Sequence, residues 1–233
     1  MPLYFMDYWY IILVVPALLV SLYAQFKVKS TFKKYSIVGN SQGLTGAQAA
    51  ARVLQANGVQ GVSIEWVRGS LTDHYNPRQN VIRLSDSVYA STSVAAVGVA
   101  CHEAGHAVQY AKKYAPIKIR AAIVPVTNFG SSFGLILVML GLFLVSDILA
   151  VIGVILFSTV FVFQLVTLPV EFDASNRALK SIRAEGMLTE QELCGAKKTL
   201  QAAAMTYVAA MLVSLMNLLR IILRVQGNRN RRR

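Results

Sequence analysis

The sequence predicts a membrane α+β protein, in which transmembrane helices carry a cytoplasmic body containing a small antiparallel β-meander. Three observations lead there. Hydrophobic residues make up 55% of the 233 and charged residues only 15%, with a mean hydropathy of +0.50. The apolar excess is gathered into long runs, which bilayer spans explain better than one unusually large core. Between the runs lies a polar region with mixed helical and strand-like periodicity.

The first span is assigned to residues 1–26, because the run 4–26 is long enough to cross a bilayer at the helical rise. It does not read as a signal peptide. Its only early charge is Asp7, and the basic cluster Lys27, Lys29, Lys33 and Lys34 follows the run instead of preceding it. This asymmetry puts the amino terminus outside and residue 27 onward in the cytoplasm.

Residues 27–120 form the cytoplasmic α/β region. Thr45 caps a helix over 47–56 that Asn57-Gly58 ends. Three strand-like runs follow at 62–68, 71–75 and 81–85, separated by Gly69-Ser70 and by Asn76-Pro77-Arg78-Gln79-Asn80. Such turn chemistry predicts an antiparallel meander. A helix rich in small residues then starts near Ser91 or Ser93 and runs to Ala111.

Residues 121–170 read as a transmembrane hairpin, with apolar runs at 123–145 and 148–170 broken only by Ser146-Asp147. Residues 171–201 return to the cytoplasm, first as a polar helix stopped by Glu185-Gly186 and then at a capping box, Thr189-Glu190-Gln191-Glu192. The segment 202–225 is assigned as a fourth span. If it crosses, the six arginines from Arg220 onward lie outside, against the positive-inside tendency. Residues 226–233 are a basic tail.

The net charge of +12 carries no nucleic-acid signature, because the 23 Lys and Arg are not interleaved with aromatics. They flank apolar runs, or sit in the tail at Arg229, Arg231, Arg232 and Arg233. The lipid bilayer, with its anionic headgroups, is the partner that distribution fits. Cys101 and Cys194 are too few for a disulfide framework and read as free thiols.

His102-Glu103-Ala104-Gly105-His106 fits H-E-x-x-H. Residues four apart share a helix face, so two imidazoles can converge on one ion while the glutamate beside them serves as general base. One zinc ion per chain suits nitrogen and carboxylate ligands in a tetrahedral site without redox chemistry. No histidine follows His106, so the third ligand must be a carboxylate. Glu171 is the leading candidate; Asp173, two residues on and on another helix face, is its rival.

Four segments carry a family resemblance: residues 73–78, 81–85, 98–109 and 168–174. Together they resemble the YugP-like family of bacterial membrane zinc metallopeptidases, over nearly the whole chain. More distantly, the order of span, H-E-x-x-H helix, hairpin and carboxylate helix is similar to the prenyl-protein peptidase and heat-shock membrane protease group. There the glutamate opening the second motif binds zinc, which implies that role for Glu171. That motif reads E-x-x-A-D, whereas this chain has Ser175 at the aspartate position, so Ser175 or Asp173 is expected to form the outer shell.

The resemblance implies an integral protein of the bacterial plasma membrane with a zincin-like metallopeptidase body on the cytoplasmic side. Its implied substrates are peptides or proteins at or in the membrane. Glu103 would take a proton from the attacking water. His74, Tyr75 and Arg78 are candidates for stabilising the oxyanion or binding substrate, because they precede the strand 81–85, to which an extended peptide could add.

Two other classes compete. A catalytically silent scaffold, chaperone or metal sensor would not need Glu103, since a structural zinc is closed by a fourth protein ligand. A transporter would carry ionisable residues within its spans, and none falls in 123–145 or 148–170.

Overall fold

The computed structural model describes residues 8–230. The start of the first apolar run, including Asp7, and the terminal Arg231, Arg232 and Arg233 lie outside the described residues. The elements in order are a π-helical turn Tyr10–Val14 leading into α1 (Val15–Tyr35), α2 (Gly46–Ala56), β1 (Ser63–Val67), β2 (His74–Asn76), β3 (Val81–Ser85), α3 (Val94–Ala111), α4 (Ala115–Phe143), α5 (Asp147–Ala184) and α6 (Glu190–Asn230).

The helix ends follow local chemistry. Thr45 and Gln48 form a reciprocal capping box at α2, and the Ser93 hydroxyl accepts the Ala96 N–H at the start of α3. At α6, Glu192 N–H donates to Thr189 Oγ1 while Thr189 N–H donates to Glu192 Oε2. Gly186, at φ +57°, closes α5. Its N–H bonds Arg183 O and that of Met187 bonds Ile182 O, a Schellman termination. Lys33 and Lys34 in the last turn of α1 complement its dipole.

The sheet is mixed, which corrects the predicted antiparallel meander. Its order is β1-β3-β2, with β1 parallel and β2 antiparallel to β3. Gly69-Ser70 does not make a hairpin, because two carboxylates route the chain differently. Asp86 accepts from the Gly69 N–H at 2.8 Å and from the Trp66 indole at 2.7 Å, holding the exit of β1 beside the end of β3. Asp73 then accepts from the Ser85 N–H at 2.7 Å and its hydroxyl at 3.0 Å, so the chain enters β2 on the opposite side of β3. Strand β3 is therefore central, with both edges paired, and no peptide can add to it as expected.

By contact density the chain divides into two units. One comprises residues 25–118 and 169–205, the other residues 1–24, 119–168 and 206–233. In the first, α2, α3 and β3 share a core of small and branched side chains, including Ala50, Val53, Ile82, Leu84, Val97, Ala104, Ile182 and Met187. Cys101 is buried in that core and Cys194 is exposed. Burial pushes the Cys101 thiol pKa up, so it behaves as a small apolar group.

Among the described residues four helices, Tyr10–Tyr35, Ala115–Phe143, Asp147–Ala184 and Glu190–Asn230, are long and apolar enough to cross a membrane. The hairpin run and the polar stretch after it are one continuous helix, α5, with Pro169 inside it. In the second unit α4 and α5 meet along glycines. A Cβ on Gly134 would sit 2.7 Å from Phe157 N, and one on Gly153 would sit 2.5 Å from Val138 N. Small residues permit this backbone-level approach between apolar helices. Large side chains such as Phe129, Phe133 and Ile136 face outward.

Gly134→Leu is expected to part α4 from α5 at a cost of about 1–3 kcal/mol, seen as a lower unfolding midpoint in detergent. Gly227→Leu, which meets nothing within 4 Å, should leave that midpoint unchanged.

Candidate metal centre

Helix α3 presents His102 and His106 one turn apart, with ring centroids 4.7 Å apart and planes at 82°. Between them lies Gly105, where a Cβ would stand 2.7 Å from the carbonyl oxygen of Ala174 on α5. The missing side chain lets the α5 backbone lie directly against α3. That approach carries Glu171, less than one turn before Ala174, to the histidine pair.

Glu171 Oε2 is 3.3 Å from His102 Nε2 and 3.6 Å from His106 Nε2. Among the described residues, these three side chains form a group whose ligand atoms all lie within 4.8 Å of one another. Glu171 and His106 are buried and His102 is partly exposed. The donor set is two imidazole nitrogens and one carboxylate oxygen, the chemistry a zinc site takes.

The local field points the same way. Burial works against a charged His106 ring, yet the neighbouring carboxylates of Glu171 and Glu103, with Gln109, outweigh it and hold its pKa above the usual histidine range. A position that favours an added proton between these groups also favours a cation. The residues therefore fit the ion.

Outside the trio, His102 Nδ1 lies 3.1 Å from Ser175 Oγ, and His106 Nδ1 lies 3.0 Å from Gln109 Oε1. Gln109 Nε2 donates at 2.8 Å both to Val170 O and to Asp173 Oδ2. Asp173 in turn accepts from the Arg177 guanidinium, which sits 5.6 Å over the Tyr114 ring. Ser175, the departure from E-x-x-A-D, thus stands at one histidine, while Asp173 reaches the other through an amide. Arg177 thus pairs along its own helix face, with the residue four positions before it.

The remaining candidates are placed differently. His74 is exposed, with Nδ1 2.9 Å from Thr72 O. The Tyr75 hydroxyl donates to Asn80 Oδ1 at 2.7 Å and its ring packs 5.6 Å from that of Tyr110 on α3. The Arg78 N–H donates to Asn76 Oδ1 within the turn. None of these contacts joins the histidine–glutamate group. Gln109, which sequence reasoning passed over, had one available signal: it lies three residues after His106 on a shared helix face.

Comparison with known proteins agrees with this chemistry. The family described as "Putative neutral zinc metallopeptidase" matches residues 10–226. A relative from Bacillus subtilis (strain 168), "Putative membrane protease YugP", is 50% identical over 214 residues, covering 92% of this chain and 95% of the relative. No solved structure matches the chain.

Gly105→Val should displace α5 from α3 and lower bound zinc well below one per chain by elemental analysis. Gly39→Ala, which meets nothing within 4 Å, should leave metal content intact.

Proposed function

The chain belongs to that zinc metallopeptidase family, and from this premise we propose that it is a membrane-embedded endopeptidase cleaving membrane or membrane-proximal proteins. In this reading His102, His106 and Glu171 hold the zinc ion and Glu103 is the general base. The observation that carries it is the convergence of two Nε2 atoms and one carboxylate oxygen within 4.8 Å, with Glu103 on the same helix turn.

Bound zinc supplies a Lewis acid that polarises a carbonyl and makes water acidic near neutral pH. The work of this chain's residues is proton handling and orientation. Glu103, buried beside His102 on α3, takes a proton from the attacking water at its carboxylate and passes it to the leaving amine. Ser175 and Gln109 hold the outer nitrogens of the two imidazoles, so the rings keep one attitude through turnover.

The four long apolar helices are assigned to the bacterial plasma membrane, with Lys27, Lys29, Lys33 and Lys34 on its cytoplasmic side together with the metal centre. A transporter is disfavoured because 123–145 and 148–170 carry no ionisable residue. Substrates are therefore expected among polypeptides presented at that surface.

Glu103→Gln should slow cleavage of a casein-type substrate about 10²–10⁴-fold while keeping one zinc per chain. His102→Ala and Glu171→Ala should lose the metal itself. Chelation of the unmutated protein should abolish cleavage, and added zinc should restore it. A zinc-loaded unmutated protein that cleaves nothing, or a Glu103→Gln protein as fast as the parent, would overturn the proposal.

A further inference from the structure

We propose that Gln109 is the positioning residue that fixes the ring tautomer of His106, so that its metal-facing nitrogen is bare before any ion arrives. A single amide sets this choice. Gln109 is fully buried, and one end of its side chain lies 2.8 Å from two oxygens, Val170 O and Asp173 Oδ2. A backbone carbonyl can only accept, and Asp173, paired with Arg177, is an acceptor as well. Only the NH₂ end of the amide satisfies both; the opposite orientation would set an oxygen against two oxygens in a buried site.

The carbonyl end of Gln109 must then face His106 Nδ1, at 3.0 Å. Since that oxygen cannot donate, the proton of the neutral ring sits on Nδ1 and is donated to Oε1. The lone pair is left on Nε2, the atom 3.6 Å from Glu171 Oε2. His102 is held differently. Its partner is the Ser175 hydroxyl, which both donates and accepts and so imposes no tautomer. The two histidines of the motif are thus unequal, one preset and one adaptable.

The same amide also ties the ligands to each other. Its two acceptors, Val170 and Asp173, bracket Glu171 on α5, so the side chain that orients one ligand on α3 grips the backbone bearing another. Arg177 holds the Asp173 carboxylate in place, while Tyr114, just beyond the end of α3, lies under the guanidinium. This chain of contacts does for His106 what a carboxylate or backbone carbonyl does in many zinc sites.

The zinc part of this inference rests on the proposed function; the tautomer part does not. The test uses the full chain in detergent, labelled at histidine with ¹³C and ¹⁵N and stripped of metal by chelation. There are only three histidines, and His74→Asn and His102→Asn spectra assign the third. At alkaline pH, His106 should be protonated on Nδ1 alone. Gln109→Met, similar in length but with only a weak thioether acceptor and no donor, should give a mixture of tautomers. It should also weaken zinc binding roughly 10–100-fold in competition with a chelating dye.

Should Gln109→Met not fold, the parent spectrum alone decides. A parent His106 protonated on Nε2 would overturn the inference, as would a Gln109→Met protein that keeps the single tautomer and parental affinity. An unmutated protein that shows the expected tautomer yet binds no zinc would instead count against the proposed function.

Discussion

The centre depends on a contact in which no side chain takes part, the meeting of α3 and α5 at Gly105 and Ala174. With a hypothetical Cβ only 2.7 Å from a carbonyl oxygen, the two helices lie as close as backbones allow. At a usual interhelical separation of 8–10 Å, side chains fill the gap. Removing that layer lets a short acid on one helix reach two rings on the other. The two x positions in H-E-x-x-H are therefore not interchangeable here: Gly105 has a steric duty, and Ala104 lies in the core.

The same device recurs. A Cβ on Gly98 would stand 3.2 Å from the Ala196 Cβ on α6, and Gly134 and Gly153 permit similar approaches between α4 and α5. Glycine in a helix interior costs about 1 kcal/mol relative to alanine, so repeated use at helix contacts implies a compensating gain in packing. Within the first unit that gain is a core of small side chains around α3. Such a core leaves little room for rearrangement, which suits a site whose donors must hold their separation.

What the sequence disclosed was local. The caps at Thr45, Ser93 and Thr189 and the stop at Gly186 depend on groups within a few residues of each other, and each occurs where its chemistry predicts. The H-E-x-x-H spacing is local too, and so is the apolar length of the long helices. The strand order was not legible, because Asp73 and Asp86 act on residues 12 and 17 positions away. Neither the Gly69-Ser70 pair nor any alternation of apolar residues encodes those bonds. Among the outer contacts Gln109 escaped for the same reason, since it reaches Val170 across 61 residues; Ser175, which meets His102 across 73, was nominated by resemblance alone. Glu171 could be nominated from chain order and resemblance, but the glycine that admits it reads in sequence as filler.

The two cysteine thiols have a practical bearing. One thiol is sealed in the core next to a histidine of the motif, and the other stands in solvent near the start of α6. Maleimide chemistry on the unaltered polypeptide would therefore modify a single place and spare the interior. A spin label or fluorophore could be attached there without first engineering a cysteine-free background, turning the natural chain into its own reporter.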